Sequence, residues 1–381
     1  MKRSIDRILT THTGSLPRPK ALSEMIFARE KGEPLDEGAF TNAVRGAVHD
    51  IVRTQIDAGV DIVNDGEQGK VSYATYVQNR LAGFDGPLTV PGAIADPDFP
   101  EYSERLAAQR RSDEIIYRRP CTGPISYRNV EELHQELADF RAALEGVSPE
   151  DAFLSAASPG ISSLFIPNQY YQTHEEYLFA LADAMKTEYD AIHQAGFVLQ
   201  IDCPDLALSR PGYFRDLSLE QFRAKIATHV EALNHATRDI PEDRMRMHVC
   251  WGNYEGPHTR DVPFADIVDI VLSARPSAVS FEASNPRHAH EWKLWRDVKL
   301  PEGKILIPGV LDSTTNFVEH PELVAERLLH FAELVGRENV IAGTDCGFST
   351  GAGTTRIEPR VTWAKFRAMA DGAAIASEAL W

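Results

Sequence analysis

Four cysteines in 381 residues, Cys121, Cys203, Cys250 and Cys346, are too few and too scattered for a disulfide framework, which excludes the small stapled secreted scaffolds. No run of 18 apolar residues occurs, so no membrane-spanning helix is expected and a membrane is not a partner. Positive charge is also short: 39 Lys and Arg stand against 56 Asp and Glu, a formal net charge of −17. Such a chain offers no basic field to a phosphate backbone, and nucleic acid is excluded as a partner. The opening Met-Lys-Arg-Ser-Ile-Asp-Arg has no apolar core of the signal-peptide kind, and a cytoplasmic enzyme is expected. Internal repeats and low-complexity tracts are lacking too, which argues against a solenoid or a linker-rich array.

Short β-branched runs alternate with long amphipathic stretches, the pattern of parallel strands joined by crossover helices. The strand candidates are Ile8–Thr13, Val60–Asp65, Phe153–Ala157, Phe197–Asp202, Arg246–Cys250, Ala278–Glu282, Ile305–Val310 and Val340–Thr344. Eight strands predict an α/β fold, a single (β/α)8 TIM barrel over residues 1–381. Helical periodicity fills the gaps, as from Glu175 to Gln194 and from Pro321 to Val335. The run Arg119–Ser126 competes for the third strand, but Phe153–Ala157 fits the barrel better. Residues 84–127, rich in Pro, Gly and Asp at first and charged later, are then an insertion on the catalytic face and a candidate lid.

Chemistry in such a barrel gathers at the carboxyl ends of the strands. The residues just after each apolar run include Gly14, Ser15, Glu67, the Ser158-Pro159-Gly160 turn, Asp202, Glu282, Asp312 and Asp345. The most informative pair is His248 and Cys250, in Met-His-Val-Cys-Trp-Gly-Asn, because residues i and i+2 of a strand face the same way. Imidazole with thiolate favours zinc over magnesium or calcium. Glu282 and Cys346, at the ends of later strands, complete a candidate set of four ligands. The plain alternative is that a buried Cys serves as a small hydrophobe and a lone His as a hydrogen-bonded core residue.

These segments together resemble the catalytic barrel of cobalamin-independent methionine synthase and its shorter relatives. The family's zinc ligands, His-x-Cys, a later Glu and a Cys in Asp-Cys-Gly, match His248, Cys250, Glu282 and Cys346. Thr11-His12-Thr13-Gly14-Ser15-Leu16-Pro17-Arg18-Pro19 is similar to its Ile-Gly-Ser-Phe-Pro entry strand, Asp65-Gly66-Glu67 to its His-Gly-Glu, and Gln200-Ile201-Asp202-Cys203-Pro204 to its Ile-Asp-Glu-Pro. The resemblance implies a Zn2+-dependent transferase in which a zinc-bound thiolate attacks an alkyl carbon in one displacement. By the matching motifs Gly14 and Ser15 meet the carboxylate of homocysteine, and Glu67 and Asp202 its ammonium.

Two departures open alternatives. Cys203 replaces the second acid of Ile-Asp-Glu-Pro, and Leu311-Asp312-Ser313-Thr314 stands where full-length members carry a proton-donating His, which weakens folate as donor. A rival within the superfamily is an epoxyalkane:coenzyme M transferase, with His12, Tyr73, His258 or His288 as acid and Arg18, Arg260 or Arg287 as sulfonate anchor. A metal-free enzyme resembling uroporphyrinogen decarboxylase leaves the two thiols and His248 unexplained. A zinc hydrolase is disfavoured because two thiolates lower the Lewis acidity needed to activate water. The expected partners are a small thiol, homocysteine or coenzyme M, and an alkyl donor, with a homo-oligomer left open.

Overall fold

Residues 9–11 close the molecule. The computed structural model describes residues 1–90, 98–109, 116–354 and 356–381. Its larger sheet consists of parallel strands in the order β1 (Ile62–Val63), β4 (Asp151–Ala157), β5 (Val198–Asp202), β6 (Met245–Val249), β7 (Ala278–Phe281), β8 (Ile305–Leu311) and β9 (Gly343–Thr344). The Thr11 amide donates to the Ala342 carbonyl and the Ala342 amide to that of Leu9, while the Thr10 carbonyl accepts from Asp61 and Ile62. Both edges of the curled sheet are thus tied to one segment. The expected strand Ile8–Thr13 is represented by these bonds and a single bridge at Thr10 rather than by a continuous ladder.

Alternation along the strands sorts the interior into levels. Leu9, Ile62, Phe153, Val198, Ala278, Ile305, Ile307 and Ile341 form a small apolar cluster separate from the main core. Of the eight segments only β6 sends no residue to it. In its place stands Arg246, fully buried, donating to Thr11 Oγ1 (2.9 Å) and the His12 carbonyl (2.7 Å), its guanidinium 4.1 Å from the Phe153 ring centroid. Stepping by two from this level along β5 and β6 leads to Gln200 and Asp202, and to His248 and Cys250. The apolar layer is therefore a floor, and polar residues accumulate above it.

Between β1 and β4 the chain leaves the barrel through an antiparallel pair, β2 (Leu81–Ala82) with β3 (Ser126–Tyr127), and carries the helix Pro100–Gln109. The run Arg119–Ser126 contributes no strand to the barrel sheet, whereas Asp151–Ala157 does. Parts of the 84–127 stretch lie outside the described residues. Among those described, no helix is long and apolar enough to cross a membrane.

Outside the sheet, amphipathic helices bury their apolar stripes. His174–Gln194 starts with a capping box, Thr173 and Glu176 satisfying each other's backbone amides. Pro321–Val335 has proline in its first turn and packs on the last helix, Pro359–Leu380, where Gly372 lets the two approach. A Cβ at Gly372 would lie 2.5 Å from Val324 Cβ and 2.7 Å from the Pro321 carbonyl oxygen. Gly372→Ala is expected to cost about 1–3 kcal/mol by overpacking, read as a lowered denaturation midpoint with metal content unchanged; an unshifted midpoint would show that the helices separate freely.

Candidate metal centre

The carboxyl ends of β5 and β6, with the turns after β1, β8 and β9, surround one cavity of about 1540 Å³. His248, Cys250 and Cys346 meet on its wall: all three are buried, and one ligand atom from each lies within 4.8 Å of the others. Strand alternation places His248 and Cys250 together, and Cys346 arrives from the segment just after β9. His248 Nδ1 is held by Ser280 Oγ at 3.0 Å, while Nε2 is buried without a partner. If Nδ1 carries the hydrogen toward Ser280, Nε2 presents a lone pair, as a metal ligand requires. Burial, and then the charge of Arg246, lowers the His248 pKa to about 3, so the ring is neutral.

Acidic groups crowd the same place. A hydrogen bond to Cys250, then burial, pushes the Cys346 thiol well above its ordinary range. Glu282, expected as the fourth ligand, is neither in the cluster of three nor on the cavity wall; its Oε1 accepts from the Trp251 amide (2.9 Å) and its Oε2 from Asn285 Nδ2 (2.6 Å). Burial, then Cys250 and Asp345, raises its pKa well above the carboxylate range. Two thiols, an imidazole and a nearby carboxyl, buried and short of positive charge, form a donor set suited to a soft divalent cation.

Asp345 sets the spacing of this cluster, a role that its place on the rim did not reveal from sequence. Its Oδ1 accepts from the amides of Ala283 (2.7 Å) and Ser284 (2.9 Å), and its Oδ2 from that of Asn285 (2.8 Å). One carboxyl group thereby fastens the turn after Glu282 to the residue before Cys346. Burial raises Asp345 to about 6, against the pull of these amides.

Glu67 and Asp202 line the same cavity. Among the described residues Glu67 is one of two other than glycine with positive φ, 54°, and such backbone is kept only where the surroundings enforce it. Here Arg18 does so, donating Nη2 (2.7 Å) and Nε (3.2 Å) to the Glu67 carbonyl and Nη1 to that of Ser349 (2.8 Å). Glu67 Oε2 is buried and unpartnered, and burial raises its pKa to about 7. Asp202, with Oδ1 accepting from Gln200 Nε2 at 2.8 Å, is raised well above the carboxylate range by burial and then by Glu67. Gln200 was not singled out from sequence, although its position two residues before Asp202 was the available signal. Gly14 leads into the site at φ 143°, where a Cβ would lie 2.6 Å from Ser155 Oγ and 2.7 Å from Glu67 Oε1. Ser15 lines the cavity.

The other candidates are placed elsewhere or engaged. Cys203 is buried, its thiol toward the Ile201 carbonyl. Asp312 accepts from Thr314 and Thr315 within its own turn. Of the three arginines considered as anchors, Arg18 is spent on backbone carbonyls, Arg260 is bonded to Asp98 (2.6 Å) and Arg287 reaches the Thr259 carbonyl (3.3 Å). Among the described residues the arginines on the cavity wall are instead Arg105, Arg118 and Arg356.

Relatives span the chain. Methionine synthase of Thermococcus kodakarensis is 27% identical over 373 residues, 96% of this chain and 92% of that protein. Its counterpart from Sulfurisphaera tokodaii is 26% identical over 346 residues, covering 89% and 85%. Among solved structures, a B12-independent methionine synthase from Shewanella sp. W3-18-1, in complex with selenomethionine, has a TM-score of 0.73 at 19% identity, covering 98% of this chain and 99% of that one. Over nearly its whole length the chain is similar to these methionine synthases, and it shares its fold with the B12-independent enzyme. A putative vitamin-B12 independent methionine synthase from Listeria monocytogenes shares the fold at TM-score 0.64 and 17% identity, over 98% and 99%. No family model matches the chain. The α/β fold, a curled parallel sheet, is that of these barrel enzymes.

Asp345→Asn replaces one of two acceptor oxygens with a donor facing backbone amides. Metal affinity is expected to fall about 10–100-fold, measured by chelator competition, with the circular dichroism spectrum retained; unchanged affinity would remove Asp345 from the support of the centre.

Proposed function

We propose that the protein is a zinc-dependent methyltransferase that alkylates the sulfur of homocysteine. The observation that carries this reading is the meeting, on one cavity, of the His248, Cys250 and Cys346 cluster with the carboxyl groups of Glu67 and Asp202. A thiol at one end and an ammonium at the other describe an amino-acid thiol. The relatives' name, methionine synthase, and the selenomethionine bound to the Shewanella protein support the same substrate.

In this reading His248 Nε2, Cys250 and Cys346 hold the zinc, with Glu282 as the fourth, most weakly engaged group. A bound zinc supplies Lewis acidity, so that a thiol of ordinary pKa near 8.5 ionises close to neutral pH. The remaining work belongs to side chains. Glu67 Oε2 and the Asp202 carboxyl receive the ammonium, whose charge favours their ionised forms, reversing the effect of burial. Gly14 and Ser15 face the substrate carboxylate. Fixing both ends of the amino acid aims its sulfur at the open cavity, from which the alkyl donor approaches. The helix Pro100–Gln109, which contributes Tyr102, Arg105 and Leu106 to the wall, covers that approach. The whole chain then acts as one catalytic domain, in the cytoplasm.

Asp202→Asn is the direct test of the ammonium end. A hydrogen bond to a charged group is worth about 1.5–3 kcal/mol, so the homocysteine KM is expected to rise roughly 10–100-fold. The KM for 4-mercaptobutanoate, which lacks the amino group, is expected to stay within about a factor of three. Equal losses with both thiols would contradict the assignment.

A further inference from the structure

Transfer of an alkyl group to sulfur from nitrogen or oxygen leaves behind an atom that needs a proton. Three of the four side chains named from sequence as its source are fully occupied. His12 pairs Nε2 with Gln55 Oε1 (2.8 Å), and its Nδ1 accepts the Gly14 amide (3.2 Å). His258 is held between Asp261 (2.8 Å) and the Tyr254 carbonyl (3.0 Å). His288 lies between Asp261 (3.1 Å) and Glu291 (2.9 Å), stacked on Trp251. All three serve the architecture around the site, and none has a ring nitrogen to spare.

Tyr73 differs. It lines the cavity, with its ring edge-on to Phe165 at 6.2 Å between centroids. Its amide donates to the Thr350 carbonyl (3.3 Å) and its neighbour Ser72 forms a bridge with Gly351, so it is tied to the loop that follows Cys346. Among the described residues its hydroxyl has no hydrogen-bond partner. An unpartnered phenolic hydroxyl, of a kind whose ordinary pKa near 10 keeps its proton at neutral pH, and a place on the wall that also carries both thiols coincide in one side chain.

We propose that Tyr73 is the acid of the transfer, giving its phenolic proton to the atom that departs from the transferred carbon. This rests on the thiol-alkylation reading above. The substrate sulfur forms the new bond to carbon as the bond from carbon to the leaving atom breaks. The electron pair goes to the leaving atom, which takes the Tyr73 proton; the phenol is restored by the proton that the thiol released on ionising. One thiol and one donor become a thioether and a protonated leaving group, with no further reactant.

The test compares Tyr73→Phe with the wild type, both zinc-loaded and supplied with homocysteine. Two small electrophiles serve as probes: methyl iodide, whose iodide departs without a proton, and epoxypropane, whose opened oxygen requires one. The variant is expected to slow epoxide opening about 100-fold or more while methyl iodide alkylation stays within about threefold. Zinc content and calorimetric homocysteine affinity are expected to be unchanged. Parallel loss with both probes, loss of zinc, or no loss with epoxypropane would overturn the role of Tyr73. A wild type that does not accelerate S-methylation by methyl iodide would instead remove the thiol-alkylation reading, and this inference with it.

Discussion

Ionisable groups buried together around one cavity are the constraint on which this structure turns. Cys346, Glu282, Asp202 and Glu67 all have raised pKa values, each with burial among the leading causes and a neighbouring acid or thiol adding to it. Folding such a set together is costly unless positive charge enters. Two kinds of positive charge suit the two ends: a soft divalent cation where sulfur and imidazole meet, and an ammonium where the carboxyl groups stand. The site's affinity for its occupants and its cost to the empty protein are thus two aspects of the same electrostatics.

The barrel delivers this arrangement through register. On β6 the inward series Arg246, His248, Cys250 climbs from a buried guanidinium to two members of the His248, Cys250 and Cys346 cluster, and β5 carries Gln200 and Asp202 at the matching levels. Closure by residues 9–11 brings Gly14 and Ser15 onto the rim opposite β6. Strand position alone does not set the ångström-scale spacing of the ligands. Ser280 orients the imidazole, Asp345 joins the Glu282 turn to Cys346, and Arg18 holds the strained backbone of Glu67. Each of these contacts comes from a different strand or turn than the group it supports.

That division explains what was legible from sequence. His248 with Cys250 could be read from period-two alternation, because both sit on one strand and their geometry is local. The eight strand positions were visible as apolar runs, though the first is held by isolated bonds rather than a ladder. Cys346 and Glu67 could be paired with them only through the family resemblance, since nothing local links residues so far apart in the chain. The supporting contacts were out of reach: whether Arg18 anchors a substrate or a carbonyl, or whether His12 is an acid or a fixed hinge, depends on partners that only the folded chain supplies. Glu282 shows the same limit, for its position at a strand end was evident but its bonds to Trp251 and Asn285 were not.

The central claim is that a zinc ion held by Cys250 and Cys346 takes up the sulfur of homocysteine. Zinc-edge X-ray absorption on the purified protein tests it most directly, by counting sulfur neighbours with and without the amino acid. Two sulfurs rising to three on addition of homocysteine is the result predicted. A zinc-free protein, or a sulfur count that homocysteine leaves unchanged, would contradict the account.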